Sequence, residues 1–401
     1  MTEHVPTPHL TGPTILLTLT GPDRPGVSTA LFDCLSAFSL EIVDVEQLVV
    51  RGRLVLSALV TRPEKHEQLA DAVRDLAADL ALEVEIEHGV GDNRPRRVGR
   101  ANVTVLGHPL EPSAMAALTS RIAAAGGNID RILRLARYPV TALRLEVSGV
   151  EPDDLQTLLL EVAFDHGIDV AVEERGILRH AQRLVVMDVD STLIQGEVID
   201  MLAAHAGLET EMAAATEAAM RGELDFETSI RRRVAMLAGL EASLLDTVRR
   251  DIQFTPGART MIRTLKRLGY RFALVSGGFR PIIEPLAEEL GIDYVAANEL
   301  EIVDGRLTGK LVGPIVDRAG KAAALRQFAD EAGVALKNTV AIGDGANDLD
   351  MLAAAGLGVA FNAKPLVRDQ ARTSVNVPYL DSIVYLLGIS REEIEAADAS
   401  D

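Results

Sequence analysis

The sequence is poor in cysteine, in positive charge and in long apolar runs, and each shortage excludes something. One cysteine, Cys34, stands among 401 residues. No disulfide can form within the chain, and the expected location is a reducing cytoplasm. Cys34 falls in the pattern Ala30, Leu31, Cys34, Leu35, Phe38, with no His at metal-ligand spacing, and reads as a small core residue rather than a reactive thiol. No apolar run approaches the ~20 residues that cross a bilayer. Met1 to Leu10 carry neither the basic start nor the apolar core of an export signal, so neither membrane insertion nor export is expected. Lys and Arg number 40 against 59 Asp and Glu, a formal net charge of −19. That balance excludes nucleic acid as a general partner, because such binding rests on neutralising phosphates. It also sets a condition. An anionic substrate is not steered in by the field of the whole protein and must meet positive charge within its site.

What is present is the material of a globular protein. Apolar residues make up 48% and charged residues 25% of a chain long enough for two or three cores. The segment from Thr14 to Gly89 alternates short β-like and amphipathic helical runs. Thr14–Thr20 reads as a strand and is followed by the turn Gly21-Pro22-Asp23-Arg24-Pro25-Gly26 and a helix over Val27–Ser39. Leu40–Leu48 and Leu54–Thr61 read as strands joined through Arg51-Gly52, then a helix over Glu67–Leu80 and a strand over Leu82–Glu87. The order βαββαβ is ferredoxin-like. After the polar linker Gly91 to Arg97 the order returns. Asn102–Leu106, Asn128–Ala136, Val140–Ser148 and Ile168–Glu173 read as strands, Pro112–Ala125 and Asp153–His166 as helices. The two copies are offset by roughly 86 residues, as in an internal duplication. The expected domains are 13–92, 100–176 and 181–396.

From Arg183 the pattern changes to continuous apolar runs separated by helical sequence: Leu184–Met187, Phe272–Val275 and Thr339–Ile342. Such runs predict buried parallel strands of a Rossmann-like α/β sheet. Residues 197–252 between the first two runs hold no strand candidate and predict a helical cap. In open α/β sheets ligands bind at the carboxyl ends of the strands. Here those ends carry Asp188-Val189-Asp190-Ser191-Thr192, then Ser276-Gly277-Gly278, then Gly343-Asp344-Gly345-Ala346-Asn347-Asp348. Clustered carboxylates stay ionised together only beside a cation, and hard oxygen ligands suit Mg²⁺. With the cation present one carboxylate can attack phosphorus while another transfers protons. A hydroxyl and a glycine turn can hold phosphate oxygens. Lys321, expected to open a helix over Lys321–Ala332, can reach the phosphate. Taken singly these features are ordinary: Asp348 as a helix-start charge, Ser276-Gly277-Gly278 as a turn, Lys321 as a surface lysine.

In this order the motifs resemble the four motifs of the haloacid dehalogenase superfamily. The resemblance implies Asp188 as nucleophile and Asp190 as general acid and base. It implies Mg²⁺ held by the Asp188 and Asp344 carboxylates and the Asp190 backbone carbonyl, with Asp348 supporting, and phosphate contacts from Ser276, Gly277, Lys321 and Asn347. Aspartate at 190 is the phosphatase form of the first motif. In the cap, Glu197, Met220, Phe226 and Arg233 resemble the substrate contacts of the phosphoserine phosphatase family. Glu197 would pair with an ammonium, Arg233 would grip a carboxylate, and Met220 and Phe226 would close apolar walls. Arg231, Arg232 and Arg233 cannot all face one site, since helical neighbours point about 100° apart. The family spacing selects Arg233.

The two N-terminal repeats resemble ACT modules, which bind small amino acids and regulate attached enzymes. The first has the ligand-loop pattern at Gly21, Asp23 and Gly26; the second has Gly107-His108-Pro109 there and departs from it. Two such modules ahead of the phosphatase domain resemble the long, mycobacterial-type form of the family. The resemblance implies the last step of serine biosynthesis with phosphoserine as substrate, control by L-serine, and a homodimer or higher homo-oligomer. Two other readings stay open here: a broader phosphatase or phosphotransferase of the superfamily, and an amino-acid sensor with a degenerate catalytic domain.

Overall fold

The computed structural model describes residues 11–91, 99–174, 183–220 (backbone only over 216–220) and 226–398. The chain divides into two compact units, 1–96 and 97–401.

In the first unit β1 (Pro13–Pro22), β2 (Ile42–Val50), β3 (Arg53–Thr61) and β4 (Glu83–Val90) form an antiparallel sheet in the order β2-β3-β1-β4. Strand alternation decides the core. Ile15, Leu17 and Leu19 of β1 and Leu54, Leu56, Ala58 and Val60 of β3 point inward, where helices Val27–Ser36 and His66–Asp79 cover them with Leu31, Leu35, Leu69 and Val73. Arg51 and Gly52 both have positive φ (48° and 74°), the hairpin geometry that follows strand twist. The first helix stops at Ser36, short of the expected Ser39, where the Ser36 hydroxyl turns back to the Asp33 carbonyl. Cys34 is partly buried against this core. In the loop after β1, the Asp23 amide donates to the Gly52 carbonyl (2.7 Å), and Gly26 precedes the helix at φ 97°.

The second unit opens with the same arrangement: β5 (Arg100–Gly107), β6 (Asn128–Ala136), β7 (Thr141–Ser148) and β8 (Asp169–Glu174) in the order β6-β7-β5-β8, with helices Pro112–Ala124 and Pro152–His166. Each of these helices has proline in its first turn, where no amide is missed. Leu106, Leu135, Ala136, Val140, Ala142 and Ala171 of this module join the core of the domain that follows.

That domain has seven strands: β9 (Leu184–Met187), β10 (Arg271–Phe279), β11 (Tyr294–Val303), β12 (Arg306–Val312), β13 (Thr339–Gly343), β14 (Leu357–Phe361) and β15 (Thr373–Val375), ordered β12-β11-β10-β9-β13-β14-β15. All pairings are parallel except β11 with β12. The three apolar runs of the sequence are its adjacent centre, β10-β9-β13. The flanking strands carry weaker signals: β12 mixes Thr, Gly and Lys into its apolar residues, and β15 is three residues long. Within β9, Leu184 and Val186 enter one core and Val185 and Met187 the other, so both faces are covered.

Between β9 and β10 the cap consists of helices Val198–Ala206, Glu209–Met220, Phe226–Ala235 and Ser243–Asp251. An Ile194–Phe254 bridge closes its base. Gly309 of β12 lets the sheet approach the cap, since a Cβ there would lie 2.8 Å from the Ala238 Cβ. One expected boundary needs correcting. The Arg318–Ala332 helix begins at Arg318, capped by Asp317, whose carboxylate accepts from the Gly320 amide (2.7 Å). Lys321 therefore sits one turn inside the helix rather than opening it.

Candidate active site

Strand β9 delivers Asp188 at the centre of the sheet's carboxyl edge. Its amide donates to the Ile342 carbonyl of β13 (2.9 Å), which continues the ladder past the strand end. The chain then turns sharply. Ser191 takes a positive φ of 55°, and the Ile194 amide reaches back to the Val189 carbonyl (3.0 Å). Within this turn Asp190 faces two donors, the Val198 amide at the start of the cap helix (2.8 Å) and the Ser276 hydroxyl (3.1 Å).

Strand β10 ends in the glycine pair. A Cβ on Gly278 would stand 3.0 Å from an Asp190 carboxylate oxygen, and one on Gly277 would stand 3.2 Å from the Phe226 ring. Close approach on both sides thus favours glycine, since a Cβ would press on these two side chains. The Gly278 amide donates to the Ser276 hydroxyl (2.8 Å). Asn298, 1% exposed, clamps the turn from behind: its Nδ2 donates to the Gly277 carbonyl (2.7 Å) and its Oδ1 accepts from the Val316 amide (2.8 Å). Sequence reasoning missed Asn298. The available signal was a lone amide at the end of the apolar run 294–297.

After β13 come Asp344 and Asp348. Asp348 is fully buried; one oxygen accepts from the Gly345 amide (2.9 Å), the other from Lys321 Nζ (2.7 Å). The same ammonium lies 2.8 Å from Asp188 Oδ1. The Thr192 hydroxyl, also missed, donates to Asp344 (2.9 Å). Asp188, Asp344 and Asp348 each offer an oxygen within 4.8 Å of the others. One ammonium does not neutralise this group. Burial, then the neighbouring Asp348 charge, pushes the Asp188 carboxyl well above its usual range, with Lys321 opposing. Burial raises Asp190 too, and raises Asp344 to about 6. Burial by itself would discharge Lys321, but the two carboxylates outweigh it and hold the ammonium. A buried acidic set with oxygen donors and too little positive charge fits a hard divalent cation. The Asp190 carboxylate stands outside this set, already engaged by Val198 and Ser276, so its expected metal contact would have to come from its backbone carbonyl.

A cavity of about 570 Å³ opens over these residues. Asp188, Asp190, Gly277, Asp344 and Asn347 line its base, and Glu197, Phe226 and Arg233 line its cap side. Ser276, Lys321 and Asp348, all fully buried, lie behind that surface. The side chain of Met220 falls outside the described residues. Phe226, Ile230 and Arg233 share one face of their helix by its i, i+4, i+7 spacing. Arg231 instead pairs with Glu227 at the surface, and Arg232 is exposed. Among the described residues Arg233 Nε is buried with no hydrogen-bond partner, and burial lowers its pKa against the pull of Glu197. Glu197 is exposed towards the cavity and accepts from the Ser191 hydroxyl (3.2 Å). Protein nonetheless surrounds its carboxyl closely enough that desolvation, then the Asp190 and Asp344 charges, raises it to about 7. Lys364, Leu366 and Val367, none of them anticipated, complete the rim. Their segment follows β14, an outer strand whose role at the site no motif announced.

Comparison with known proteins accords with this geometry. Residues 185–353 match the haloacid dehalogenase-like hydrolase family, and 13–87 and 101–173 each match an ACT domain family. A phosphoserine phosphatase of Streptomyces coelicolor is 62% identical over 96% of this chain and 95% of its own. One from Mycobacterium tuberculosis is 54% identical over 96% of each. The chain belongs to the phosphoserine phosphatase family. Among solved structures, a probable phosphoserine phosphatase from Vibrio cholerae, in unliganded form, is 35% identical with a TM-score of 0.57, covering 75% of this chain and 89% of that one. A haloacid dehalogenase family hydrolase from Salmonella enterica serovar Typhi reaches a TM-score of 0.63 at 28% identity, over 72% and 99% of the two chains.

For this phosphoserine phosphatase family member, the Lys321 position yields a stability prediction. Lys321→Ala leaves two buried carboxylates without their ammonium and is expected to cost about 3–5 kcal/mol in metal-free protein, measured by urea unfolding. A change below about 1 kcal/mol would mean that the carboxyls escape by taking up protons, and that the ammonium is not what holds them ionised.

Proposed function

We propose that the protein is a Mg²⁺-dependent phosphoserine phosphatase of the cytoplasm. It would release L-serine and phosphate from O-phospho-L-serine through an aspartyl-phosphate on Asp188, the last step of serine biosynthesis. The observation that carries this reading is the presence of Glu197 and Arg233, with its unpartnered buried Nε, in the wall of the same cavity as Asp188. A free amino acid bears one ammonium and one carboxylate, and these two side chains complement them. Phe226 and Met220 would shut water out, which strengthens both contacts.

The chemistry follows from the assigned residues. A carboxylate oxygen of Asp188 attacks phosphorus as the bond to the seryl oxygen breaks. Asp190, whose protonated form burial favours, gives its proton to that oxygen. The resulting Asp190 carboxylate takes a proton from a water that attacks phosphorus, and Asp188 leaves as carboxylate. Lys321, Ser276, the Gly277 amide and Asn347 would hold phosphate oxygens. Asp188, Asp344 and the Asp190 carbonyl, with Asp348 supporting, would hold Mg²⁺, which when bound supplies compensating charge for the carboxylates and the phosphate.

Phosphate release from O-phospho-L-serine, O-phosphothreonine and p-nitrophenyl phosphate, each with Mg²⁺ and with excess EDTA, tests the assignment. Release should be metal-dependent and selective for phosphoserine, and Asp188→Asn should lower kcat by at least about 10⁴-fold while preserving the thermal transition. Release from p-nitrophenyl phosphate alone would remove the substrate assignment; retained turnover in Asp188→Asn would remove the nucleophile.

The acidic cluster also links metal to pH. A carboxyl raised to about 6, as at Asp344, lends stability that is fully present below its unfolded value near 4 and is lost as pH rises through 6. Mg²⁺ binds the ionised form and restores that loss. The Tm gain from saturating Mg²⁺ should therefore be larger at pH 7.5 than at pH 5.5 in scanning calorimetry. An equal or reversed gain would place the cation elsewhere.

L-serine is the expected regulator at the first ACT module, at the loop of Gly21, Asp23 and Gly26, in a homodimer or higher homo-oligomer. Titration of the full chain with L-serine to millimolar levels should show heat of binding and a change in turnover, both reduced by Asp23→Ala. Absence of both effects would sink the regulatory reading and leave the catalytic one standing.

A further inference from the structure

The second ACT module meets the catalytic domain through a shared apolar core and, at residues 372–376, through buried hydrogen bonds; that stretch in turn holds the segment that lines part of the cavity. Asp169 of β8 is 4% exposed. Its carboxylate accepts from the backbone amide of Asn376 (2.8 Å), from Asn376 Nδ2, and from the Ser374 hydroxyl (3.5 Å). Gln156 from the same module donates to the Arg372 carbonyl while accepting from the Val172 amide (2.8 Å). Residues 372–376 thus hang on the module through two buried side chains, along β15 at the edge of the catalytic sheet.

On its other side, this segment holds the rim. The Val375 carbonyl accepts from the Asn362 amide (2.7 Å), and Asn376 Oδ1 accepts from Arg368 Nη1 (3.3 Å). Asn362 and Arg368 bracket the turn that carries Lys364, Leu366 and Val367 into the cavity wall. The amide of Asn376 faces both ways, Nδ2 to Asp169 and Oδ1 to Arg368, so one side chain joins the module to the rim. The Lys364 ammonium is exposed at that rim, in a cavity wall otherwise rich in carboxylates.

We propose that Asp169 is a positioning residue for the active site. Through Asn376 and Arg368 it fixes the 362–368 segment, and with it the placement of Lys364 and Leu366 at the cavity mouth, where an anionic substrate enters. The proposal rests on the phosphatase reading above. It gives the second module, which lacks the ligand-loop pattern of the first, a duty of its own in substrate capture.

The effect should fall on binding rather than on chemistry, because none of these groups touches Asp188 or Asp190. In Asp169→Ala, KM for phosphoserine should rise by about two- to thirtyfold, the range of coupling through a packed network, with kcat within about twofold. Asn376→Ala should reproduce the split, and Asp169→Asn should restore part of it. Asp153→Ala, which removes only an exposed pair with Arg372, should leave both constants unchanged. Hydrogen exchange on the full chain gives a readout independent of turnover. Amides of 362–368 should exchange faster in Asp169→Ala, while those of 184–193 stay protected. Unchanged KM with unchanged exchange at 362–368 would overturn the proposal, as would a uniform rise in exchange across 183–398, which marks general destabilisation. Should the wild-type chain fail to hydrolyse phosphoserine, the phosphatase reading falls, while the exchange result still decides whether Asp169 fixes the rim.

Discussion

The structure of the site depends on one ammonium, Lys321, buried between Asp188 and Asp348. A lysine at 0% exposure is tolerated only because two carboxylates meet it at 2.8 and 2.7 Å. The dependence is mutual. Without the ammonium, Asp188 and Asp348 would be two like charges in a dry interior. Three separate pieces of chain must therefore be held in register: the end of β9, the turn after β13, and the first turns of the Arg318–Ala332 helix. The Asp317 cap, the Gly345 amide on Asp348 and the Asp188 amide on Ile342 are the local devices that hold them. All three satisfy a backbone donor, and the first two fix a carboxylate side chain in the same bond.

The bulk charge of −19 made a positive site a requirement for any anionic substrate. The protein meets it by concentrating cations where solvent is scarce rather than by spreading them over the surface. Lys321 is enclosed and Arg233 is partly buried, so each acts at short range with little screening. The carboxylates beside them, in the proposed reading, would be the means of recruiting a further cation rather than an obstacle to phosphate. Glu197 places a carboxylate at the cap side of the same cavity, and in the proposed reading it would complement the substrate's ammonium.

Much of this was legible in the sequence because it rests on short continuous segments. Leu184–Met187, Phe272–Val275 and Thr339–Ile342 are apolar on both faces, and so they announced the centre of the sheet and which chain ends would converge. The two ACT repeats were legible through period and turn chemistry. What escaped notice depends on contacts between distant segments. Asn298 is a solitary polar residue whose meaning comes from the Gly277 and Val316 backbones on either side of it. Strands β12 and β15 are short or mixed in composition and owe their state to neighbours. Lys364 and Leu366 reach the cavity because β14 and β15 set them there, and nothing local in Asn362-Ala363-Lys364-Pro365 reveals that direction. The start of the Lys321 helix was misplaced because Asp317 caps it from outside the apolar pattern.

The threefold meeting of Asp188, Lys321 and Asp348 also imposes an order in time. A nascent chain emerges from its amino end, so both ACT modules and the strand bearing Asp188 are complete long before Lys321 and Asp348 appear. Until the turn after β13 has been made, Asp188 lacks Asp344 and Asp348, and Lys321 lacks one of the two carboxylates that hold it. The charged set around Asp188 is thus completed in one late step, when β13 closes the centre of the sheet beside β9 and brings Asp344 and Asp348 with it.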